Sequence, residues 1–252
     1  RDELREHNYN YYVVDNATIS DYEFDIKLKK LQELEAKHPE FFDANSPTQR
    51  VGGEVTKNFE TIPHEHRMYS LDNSYSKEDL QDWETRIKKL VDGDIYYTCE
   101  LKYDGASISL TYEAGNLVKA VTRGDGFQGD NVTANIKTIK SVPLQLKGDY
   151  PVKFDIRGEI VLPFEGFHKM NEERIEIGEE PYRNPRNTAS GSLKLQDSTE
   201  VAKRPLECLL YNLMGSNLRI NTQFESLDKA RHWGFKVPEA AKLVNSIDEV
   251  LE

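Results

Sequence analysis

The run CELKYDG at residues 99–105 constrains the fold and chemistry of this chain more than any other stretch. Over residues 95–101, apolar or bulky side chains at odd positions alternate with other side chains at even positions. This period of two predicts a half-buried strand, and it places Glu100 and Lys102 on the same strand face. Gly105 then allows the backbone to turn after the strand.

A lysine at the end of a strand can act as a nucleophile once its ammonium has lost a proton. Lys102 is flanked by the carboxylates of Glu100 and Asp104, which can position it. The same pattern fits a surface lysine that only forms ion pairs with these two residues, because one short motif is weak evidence. The other motifs of the chain are therefore needed to separate the two interpretations.

Further motifs accompany this run: SLDN at 70–73, TRGDG at 122–126, RGE at 157–159, and NPRN at 184–187, which continues to GSLK at 191–194. In order and spacing they resemble the motifs of covalent nucleotidyltransferases, namely DNA ligases, RNA ligases and capping enzymes. The Cys-Glu-Leu-Lys form and residues 11–25 are similar to the bacterial NAD-dependent DNA ligases in particular. Because several ordered motifs are more specific than one, the chain is identified as resembling the N-terminal part of such a ligase.

The resemblance implies a reaction in which Lys102 attacks the α-phosphorus of NAD⁺. AMP stays on the lysine and nicotinamide mononucleotide is released. Asp104 is expected to orient Lys102 or a metal-bound water, with Mg²⁺ as the metal. The residues expected to bind the AMP half are Ser70, Leu71, Glu100, Arg123 and Glu159, and those expected to contact DNA phosphate are Arg186 and Lys194.

Local structure offers simpler explanations for some of these residues. Arg157 and Glu159 share one face of a predicted strand and are equally compatible with an ion pair across it. Arg123 precedes a glycine-rich turn and is compatible with turn formation alone. Tyr211 is predicted to belong to the core, since it lies on the same apolar strand as Cys208. No acidic segment has the spacing of an EF-hand loop, and no metal ligand is predicted.

An acidic and aromatic segment near the N-terminus is the second candidate site. Asp21 and Asp25 are four residues apart at the start of a predicted helix and therefore share one face. Stabilisation of the helix dipole by acidic residues in the first turn explains such a pair by itself. Tyr11 and Tyr12 belong to the preceding helix, however, and aromatic rings combined with carboxylates suit a cationic nicotinamide ring.

This segment resembles the ligase domain that holds the mononucleotide half of NAD⁺. The family usually has tyrosine where this chain has Phe24, so a hydroxyl contact to the mononucleotide phosphate is missing while stacking remains possible. The binding residues implied by the resemblance are Tyr11, Tyr12, Asp21, Tyr22, Glu23, Phe24 and Asp25.

Strands and helices in mixed order, with a hairpin, predict an α+β fold. We predict a small helical domain over residues 1–58. By resemblance, an ATP-grasp-like nucleotidyltransferase domain of antiparallel sheets flanked by helices, incomplete at its C-terminal end, covers residues 59–252. Predicted helices lie at 4–12, 20–37, 76–90, 133–139 and 165–175, with two more ending near 233 and starting at 246. Predicted strands lie at 95–101, 106–112, 117–123, 152–162 and 206–214, and a loop runs through 184–186.

The composition limits the expected partners. The formal net charge of −11 argues against a surface that binds DNA by bulk electrostatics, so DNA binding needs local basic patches or other domains. The only cysteines, Cys99 and Cys208, favour buried free thiols in a reducing compartment and are too few for a four-cysteine zinc site. The sequence has no apolar run that could cross a bilayer and no signal-peptide pattern. We expect a cytoplasmic monomer with no membrane partner.

The ends of the sequence suggest a fragment. The chain starts at Arg1 inside a helical pattern, and a capping box at Ser246 opens a helix just before the last residue, Glu252. The later Asp-Gly-x-Val-x-Lys motif of the family and its oligonucleotide-binding, zinc-finger, helix-hairpin-helix and BRCT domains do not occur here. The whole protein is expected to use NAD⁺ and nicked duplex DNA, with zinc only in the absent part, and the fragment alone is expected to be nearly inactive.

Two other functions share parts of this pattern. An ATP-using nucleotidyltransferase, such as an RNA ligase or a capping enzyme, has the lysine motif but no use for residues 1–58. Adenylation by NAD⁺ and not by ATP separates this class from the NAD-dependent ligases. The second alternative is a fragment that only binds NAD⁺ or an inhibitor and does not react.

Overall fold

The computed structural model describes residues 1–14, 16–50 and 58–252. The helices are α1 (Asp2–Tyr12), α2 (Asp21–Lys37), α3 (Lys77–Lys88), α4 (Thr133–Thr138), α5 (Phe164–Glu176), α6 (Pro185–Leu193), α7 (Ser198–Ala202), α8 (Gln223–His232) and α9 (Ile247–Leu251). The strands are β1 (Thr61–Pro63), β2 (Tyr97–Cys99), β3 (Ala106–Glu113), β4 (Asn116–Thr122), β5 (Gln128–Asp130), β6 (Lys153–Val161), β7 (Glu207–Met214) and β8 (Lys242–Val244). In the described ranges, no helix is both long and apolar enough to span a membrane.

The N-terminal part consists of α1, α2 and two 3₁₀ turns, Pro39–Phe41 and Pro47–Arg50. α2 begins where the predicted helix at 20–37 begins, and a capping box marks its start. The Glu23 backbone N–H donates to the Ser20 hydroxyl (3.3 Å), and the Ser20 backbone N–H donates to the Glu23 carboxylate (3.0 Å). The predicted small domain over residues 1–58 includes residues 51–57, which lie outside the described residues.

A four-stranded antiparallel sheet in the order β4-β3-β6-β7 organises the rest of the chain. The predicted hairpin is confirmed: β3 pairs with β4 around Ala114 and Gly115, which have φ angles of 48° and 77°. β3 also pairs with β6, and this register places Ser107 opposite Glu159. The fold is therefore α+β with antiparallel sheets, as predicted.

One hydrophobic core fills the space between this sheet and the helices around it. β3 and β6 supply fully buried aliphatic side chains, and α4, α6 and α8 cover them. Each such side chain contributes about 1.5–3 kcal/mol through burial. Two polar residues of β6, Asp155 and Arg157, are buried as well, whereas Lys153 is exposed and Glu159 is half-buried. Representative core residues are Ile108, Leu110, Ile136, Ile156, Ile160, Leu193, Leu210 and Leu227.

Three local predictions were wrong. The strand expected over residues 95–101 is limited to β2, which pairs only with the equally short β8, and Leu101 beyond it is 61% exposed. The helix expected over residues 76–90 ends at Lys88, and Leu90 beyond it is 83% exposed. The loop expected through residues 184–186 contains the start of α6. Pro185 occupies the first turn, and the Asn184 side chain accepts a hydrogen bond from the Asn187 N–H (3.1 Å).

The N-terminal part docks on the loop that follows α4. Arg50 is the main anchor: its guanidinium donates to the carbonyls of Lys137 (3.4 Å), Ile139 (3.1 Å) and Val142 (2.8 Å). Burial lowers the pKa of Arg50 to about 10. The Asn8 amide adds a hydrogen bond to the Lys140 carbonyl (2.9 Å). Residues from α1 and from the segment after α4 therefore come together although they are far apart in sequence.

Candidate functional site

The first part of the site is a segment of backbone, residues 61–68, which we call the strap. β1 of the strap pairs with β5. The His64 N–H donates to the Phe127 carbonyl (2.8 Å), and the Met68 N–H donates to the Gly126 carbonyl (2.9 Å). Gly126 has a φ of +92°, and a Cβ here would lie 2.5 Å from the Met68 carbonyl oxygen. The glycine-rich loop therefore needs glycine at this position to hold the strap.

The strap leads directly into Ser70 and Leu71, two residues predicted to contact a nucleotide. Both are exposed, Leu71 to 76%. The Arg67 guanidinium lies 4.0 Å from the centroid of the Phe127 ring and 4.9 Å from that of Tyr69. These cation–π contacts link the end of the strap to the glycine-rich loop and leave the following residues accessible.

Arg157 on β6 fixes the strap from the other side. Its Nη2 donates to the carbonyls of His66 and Arg67, each at 2.8 Å. Only 9% of Arg157 is exposed, and this burial lowers the pKa of its guanidinium. Its Nε is buried without a partner among the described residues. The guanidinium is thus used to position the strap, and the alternative of an ion pair with Glu159 is not what the structure shows.

Glu159 is the carboxylate on which the charged residues of the site converge. The Ser107 hydroxyl donates to Glu159 Oε2 (2.8 Å). Burial raises the pKa of Glu159, and hydrogen bonds from Ser107 and the Gly105 backbone and the positive charges of Lys102 and Arg186 partly oppose this effect. Residues from three separate motifs therefore act on one another electrostatically.

Lys102 lies on an exposed loop that begins where β2 ends. The loop is held at its far end by Gly105, because a Cβ at this position would overlap the carbonyl oxygen of Ile160. Glu100 Oε2 accepts a hydrogen bond from the Gln223 side chain (3.0 Å), and burial raises the pKa of Glu100. Since β2 stops at Cys99, the shared strand face predicted for Glu100 and Lys102 is wrong.

Three other predicted site residues, Asp104, Arg186 and Lys194, form ion pairs that were not expected. Asp104 Oδ1 forms an ion pair with Arg186 Nη1 (3.0 Å), so its carboxylate is directed to Arg186 and not to Lys102. Lys194 Nζ pairs with Asp130 (2.8 Å). The carboxylates thus neutralise two cations that were predicted to bind DNA phosphate.

Arg123 and Tyr211 complete this part of the site. The Arg123 carbonyl accepts the Gly126 N–H (2.9 Å), which closes the predicted turn, while the residue itself is exposed. Tyr211 is half-buried, and burial followed by the charge of Glu159 raises the pKa of its phenol. Tyr211 is not among the buried core residues, so its assignment to the core was wrong. No local pattern marks it, because the strand that carries it is remote in sequence from Glu159.

The second site is a cleft of about 460 Å³ beside the N-terminal helices. The Tyr11 and Tyr12 rings in its wall have centroids 4.6 Å apart and an interplanar angle of 55°. Tyr22 is 74% exposed and Glu23 is engaged in the capping box, and both lie outside the lining. The lining includes five predicted residues, Tyr11, Tyr12, Asp21, Phe24 and Asp25, and four that were missed, His7, Arg50, Thr138 and Lys140.

The sequence analysis expects Mg²⁺ from the resemblance but predicts no residue as a metal ligand. Over residues 1–14, 16–50 and 58–252, no group of three or more His, Cys, Asp or Glu side chains is arranged to hold a metal ion. Cys99 and Cys208 are free thiols, as predicted, with Cys208 buried and Cys99 half-buried.

Two family profiles match this chain in succession. The profile for the DNA ligase-like, N-terminal NAD⁺-binding domain matches residues 1–52, and that for the NAD-dependent DNA ligase adenylation domain matches residues 56–252. The chain is 74% identical to a DNA ligase of Flavobacterium johnsoniae, 73% to one of Christiangramia forsetii and 51% to one of Parabacteroides distasonis. Each match covers 100% of this chain and 38% of the relative, so the chain spans well under half the length of these ligases.

Proposed function

Because this chain belongs to the NAD-dependent DNA ligase family, we propose that it is the NAD⁺-binding and self-adenylating part of an enzyme that seals nicks in duplex DNA. Since it spans 38% of its relatives, sealing is proposed for the whole protein. The observation that carries the proposal is the exposed amine of Lys102 on a loop that is held by Gly105 and by the Asp104–Arg186 ion pair (3.0 Å). The charges of Lys102 and Arg186 also act on the half-buried Glu159. An exposed amine with a second cation held in the same region suits attack on a phosphoanhydride.

We propose two functional units. Residues 1–58 bind the mononucleotide half of NAD⁺ in the cleft, and residues 59–252 bind the adenosine half and carry Lys102. The two family matches, at 1–52 and 56–252, support this division. The aromatic rings and the carboxylates Asp21 and Asp25 in the cleft lining support a cationic ring as its occupant.

In the proposed reaction, the neutral amine of Lys102 attacks the α-phosphorus of NAD⁺. A P–N bond to AMP forms while the P–O bond to the mononucleotide phosphate breaks, and the amine proton passes to solvent. Phosphoryl transfer chiefly requires alignment and positive charge at the phosphate oxygens. Arg186, held by Asp104 at 3.0 Å, is a cation of this site that can supply such charge.

We propose that Arg123 and Glu159 bind the ribose and phosphate of AMP. Ser70 and Leu71 are proposed to contact the adenine, and Glu100 to exchange its bond with Gln223 for the adenine amino group. For DNA phosphate we propose Arg186 and Lys194, which must first be released from their carboxylate partners. This release would make DNA binding dependent on the ionic strength.

Magnesium, monomeric state and cytoplasmic location are also proposals. Mg²⁺ typically binds through one or two carboxylates together with substrate phosphates. Asp104 and Glu159 are two of the carboxylates of the Lys102 site and would suit a magnesium ion that enters with NAD⁺. We further propose that the whole protein acts as a cytoplasmic monomer.

Reaction with NAD⁺ in place of ATP tests the proposed function. The full-length protein with Mg²⁺ should gain one AMP from NAD⁺, detected by intact mass, and release nicotinamide mononucleotide. ATP at the same concentration should give no adduct. An adduct from ATP and none from NAD⁺ would show instead the ATP-using class of nucleotidyltransferase.

The 252-residue chain by itself should bind without reacting. The groups of the Lys102 site recognise the adenosine half, but the family lysines that act on the α-phosphate are absent from this sequence. Loss of one such electrostatic group typically lowers the rate by a factor of about 10² to 10³. We therefore expect weak, saturable binding of NAD⁺ or AMP by calorimetry and no adduct by mass spectrometry. Rapid stoichiometric adenylation of this chain would contradict the expectation.

Replacing Arg157 by methionine should weaken AMP binding although Arg157 does not touch AMP in our proposal. The variant loses the two hydrogen bonds that hold the strap in front of Ser70 and Leu71. Hydrogen bonds from a charged group contribute about 1.5–3 kcal/mol, so we expect affinity for AMP to fall by roughly 10- to 100-fold. Hydrogen exchange at the Met68 amide should become faster in the same variant.

Arg174→Met is the matched control for this variant. Arg174 also donates to a backbone carbonyl, that of Glu180 at 2.7 Å, but it lies on α5 and makes no contact with the strap. Its replacement should leave AMP affinity within about twofold of the wild type. Equal weakening by both substitutions would indicate a general loss of stability and would contradict a positioning role for Arg157.

A further inference from the structure

The N-terminal cleft combines opposite charges from different parts of the chain. Asp21 and Asp25 come from α2, whereas Lys140 comes from the loop after α4. A nicotinamide mononucleotide also carries opposite charges, a cationic ring and an anionic phosphate. The carboxylates match the ring, so the phosphate needs a cation in the same cleft.

Lys140 is exposed and is oriented by Tyr12. Its Nζ donates to the Tyr12 hydroxyl (2.8 Å) and lies 5.0 Å from the centroid of the same ring. Its backbone carbonyl is fixed by Asn8 (2.9 Å). An ammonium group has three N–H donors, so the bond to Tyr12 leaves two for a ligand. Among the described residues, no carboxylate forms an ion pair with Lys140.

The other cations in the lining are less suitable. Arg50 is half-buried, and its guanidinium is directed to three backbone carbonyls. His7 is half-buried, and its ring nitrogens lie 2.9 Å from the Thr18 hydroxyl and 3.8 Å from the Glu3 carboxylate. Lys140 is therefore the exposed cation of the cleft lining.

We propose that Lys140 binds the phosphate of the mononucleotide half of NAD⁺, so that the cleft is a composite site built from both parts of the chain. The proposal rests on the proposed function of the cleft. It also accounts for Phe24, since a cation from the second unit can replace the contact that a tyrosine hydroxyl would make. Lys140 is then a specificity-determining residue that favours a phosphorylated ligand.

The test compares two ligands that differ only in the phosphate. Binding of nicotinamide mononucleotide and of nicotinamide riboside to the 252-residue chain is measured by calorimetry for the wild type and for Lys140→Met. Mononucleotide affinity should fall by roughly 10- to 100-fold, the usual effect of losing a charge-assisted hydrogen bond. Riboside affinity should change less than about twofold. Lys140→Arg should retain most of the preference for the phosphorylated ligand.

Lys147→Met provides the matched control. Lys147 belongs to the same region of the chain and also contacts α1, with Nζ 4.5 Å from the centroid of the Tyr9 ring, but it does not line the cleft. Its replacement should alter neither affinity. Equal weakening of both ligands by Lys140→Met would overturn the inference, because it would show a role in docking the N-terminal part only.

A third variant separates this inference from the proposed function. Asp25→Asn should weaken both ligands, because both carry the cationic ring. If the wild-type chain binds neither ligand, or if Asp25→Asn affects neither, the cleft is not the mononucleotide site and the proposed function of the cleft fails. If Asp25→Asn behaves as expected but Lys140→Met does not discriminate the ligands, only the role of Lys140 is wrong.

Discussion

Replacement of Lys102 by alanine is expected to abolish the AMP adduct of the full-length protein incubated with NAD⁺ and Mg²⁺. Lys102 is proposed to supply the nitrogen of the P–N bond, and alanine has no atom that can replace it. The adduct, measured by intact mass, should fall below detection. The fold should persist, because Lys102 is exposed on a loop and makes no packing contact with the core.

Lys203→Ala is a suitable control for the Lys102 variant. Lys203 is also exposed and lies just after α7, where it pairs with Glu200 at 2.6 Å, so its loss removes the same charge without touching the site. This variant should form the adduct at the wild-type rate. An adduct that persisted on the Lys102→Ala protein would show that another residue is the nucleophile.

Simultaneous replacement of Tyr11 and Asp25 by alanine should block the reaction with NAD⁺ but spare the sealing of a nick that is already adenylated. The variant loses a cation–π contact and a charge pair with the nicotinamide ring, together about 2–5 kcal/mol, or roughly 30-fold to several thousand-fold in adenylation by NAD⁺. Sealing of the adenylated nick no longer involves the mononucleotide. Deletion of residues 1–58 should have the same selective effect. Both steps can be followed with a labelled nicked duplex.

The Glu33→Ala variant serves as the control for these substitutions. Glu33 lies on α2, is exposed and is absent from the cleft lining, so its change to alanine should leave both steps intact. If the Tyr11 and Asp25 variant lost both steps equally, the N-terminal part would serve general stability. Arg50 anchors the N-terminal part to the larger part of the chain, so a role in general stability is the alternative to a role in binding. The sealing measurement decides between these two roles.

Local structure was predictable where one short-range interaction dominates. The helices α2 and α3 begin at the predicted positions, where capping boxes at Ser20 and Ser76 join groups only three residues apart. The hairpin of β3 and β4 follows from two runs of alternating residues and a four-residue turn. Prediction failed for β2, whose length depends on the partner strand β8, more than 140 positions away and only three residues long.

The candidate site likewise combines features that the sequence predicted with features that only the structure revealed. The motifs that contain Lys102, Arg123, Glu159 and Arg186 were visible in the sequence, and the structure brings Lys102, Glu159 and Arg186 into electrostatic contact. The residues with which they pair were not visible in the sequence, as the Asp104–Arg186 ion pair shows. Such pairings depend on how the loops lie over the sheet, and no local period records this.

By itself, the sequence determined the α+β class, most of the helices and strands, and the motifs that mark a covalent nucleotidyltransferase. The class and the elements follow from periodicity, capping and turn chemistry, which act over a few residues, whereas the motifs were identified by their resemblance to a known family. Only the tertiary structure decided that Arg157 holds the strap by the His66 and Arg67 carbonyls, and that Lys140 joins Tyr12 in the N-terminal cleft. These contacts span about 90 and 128 positions, so they exist only after the chain has packed.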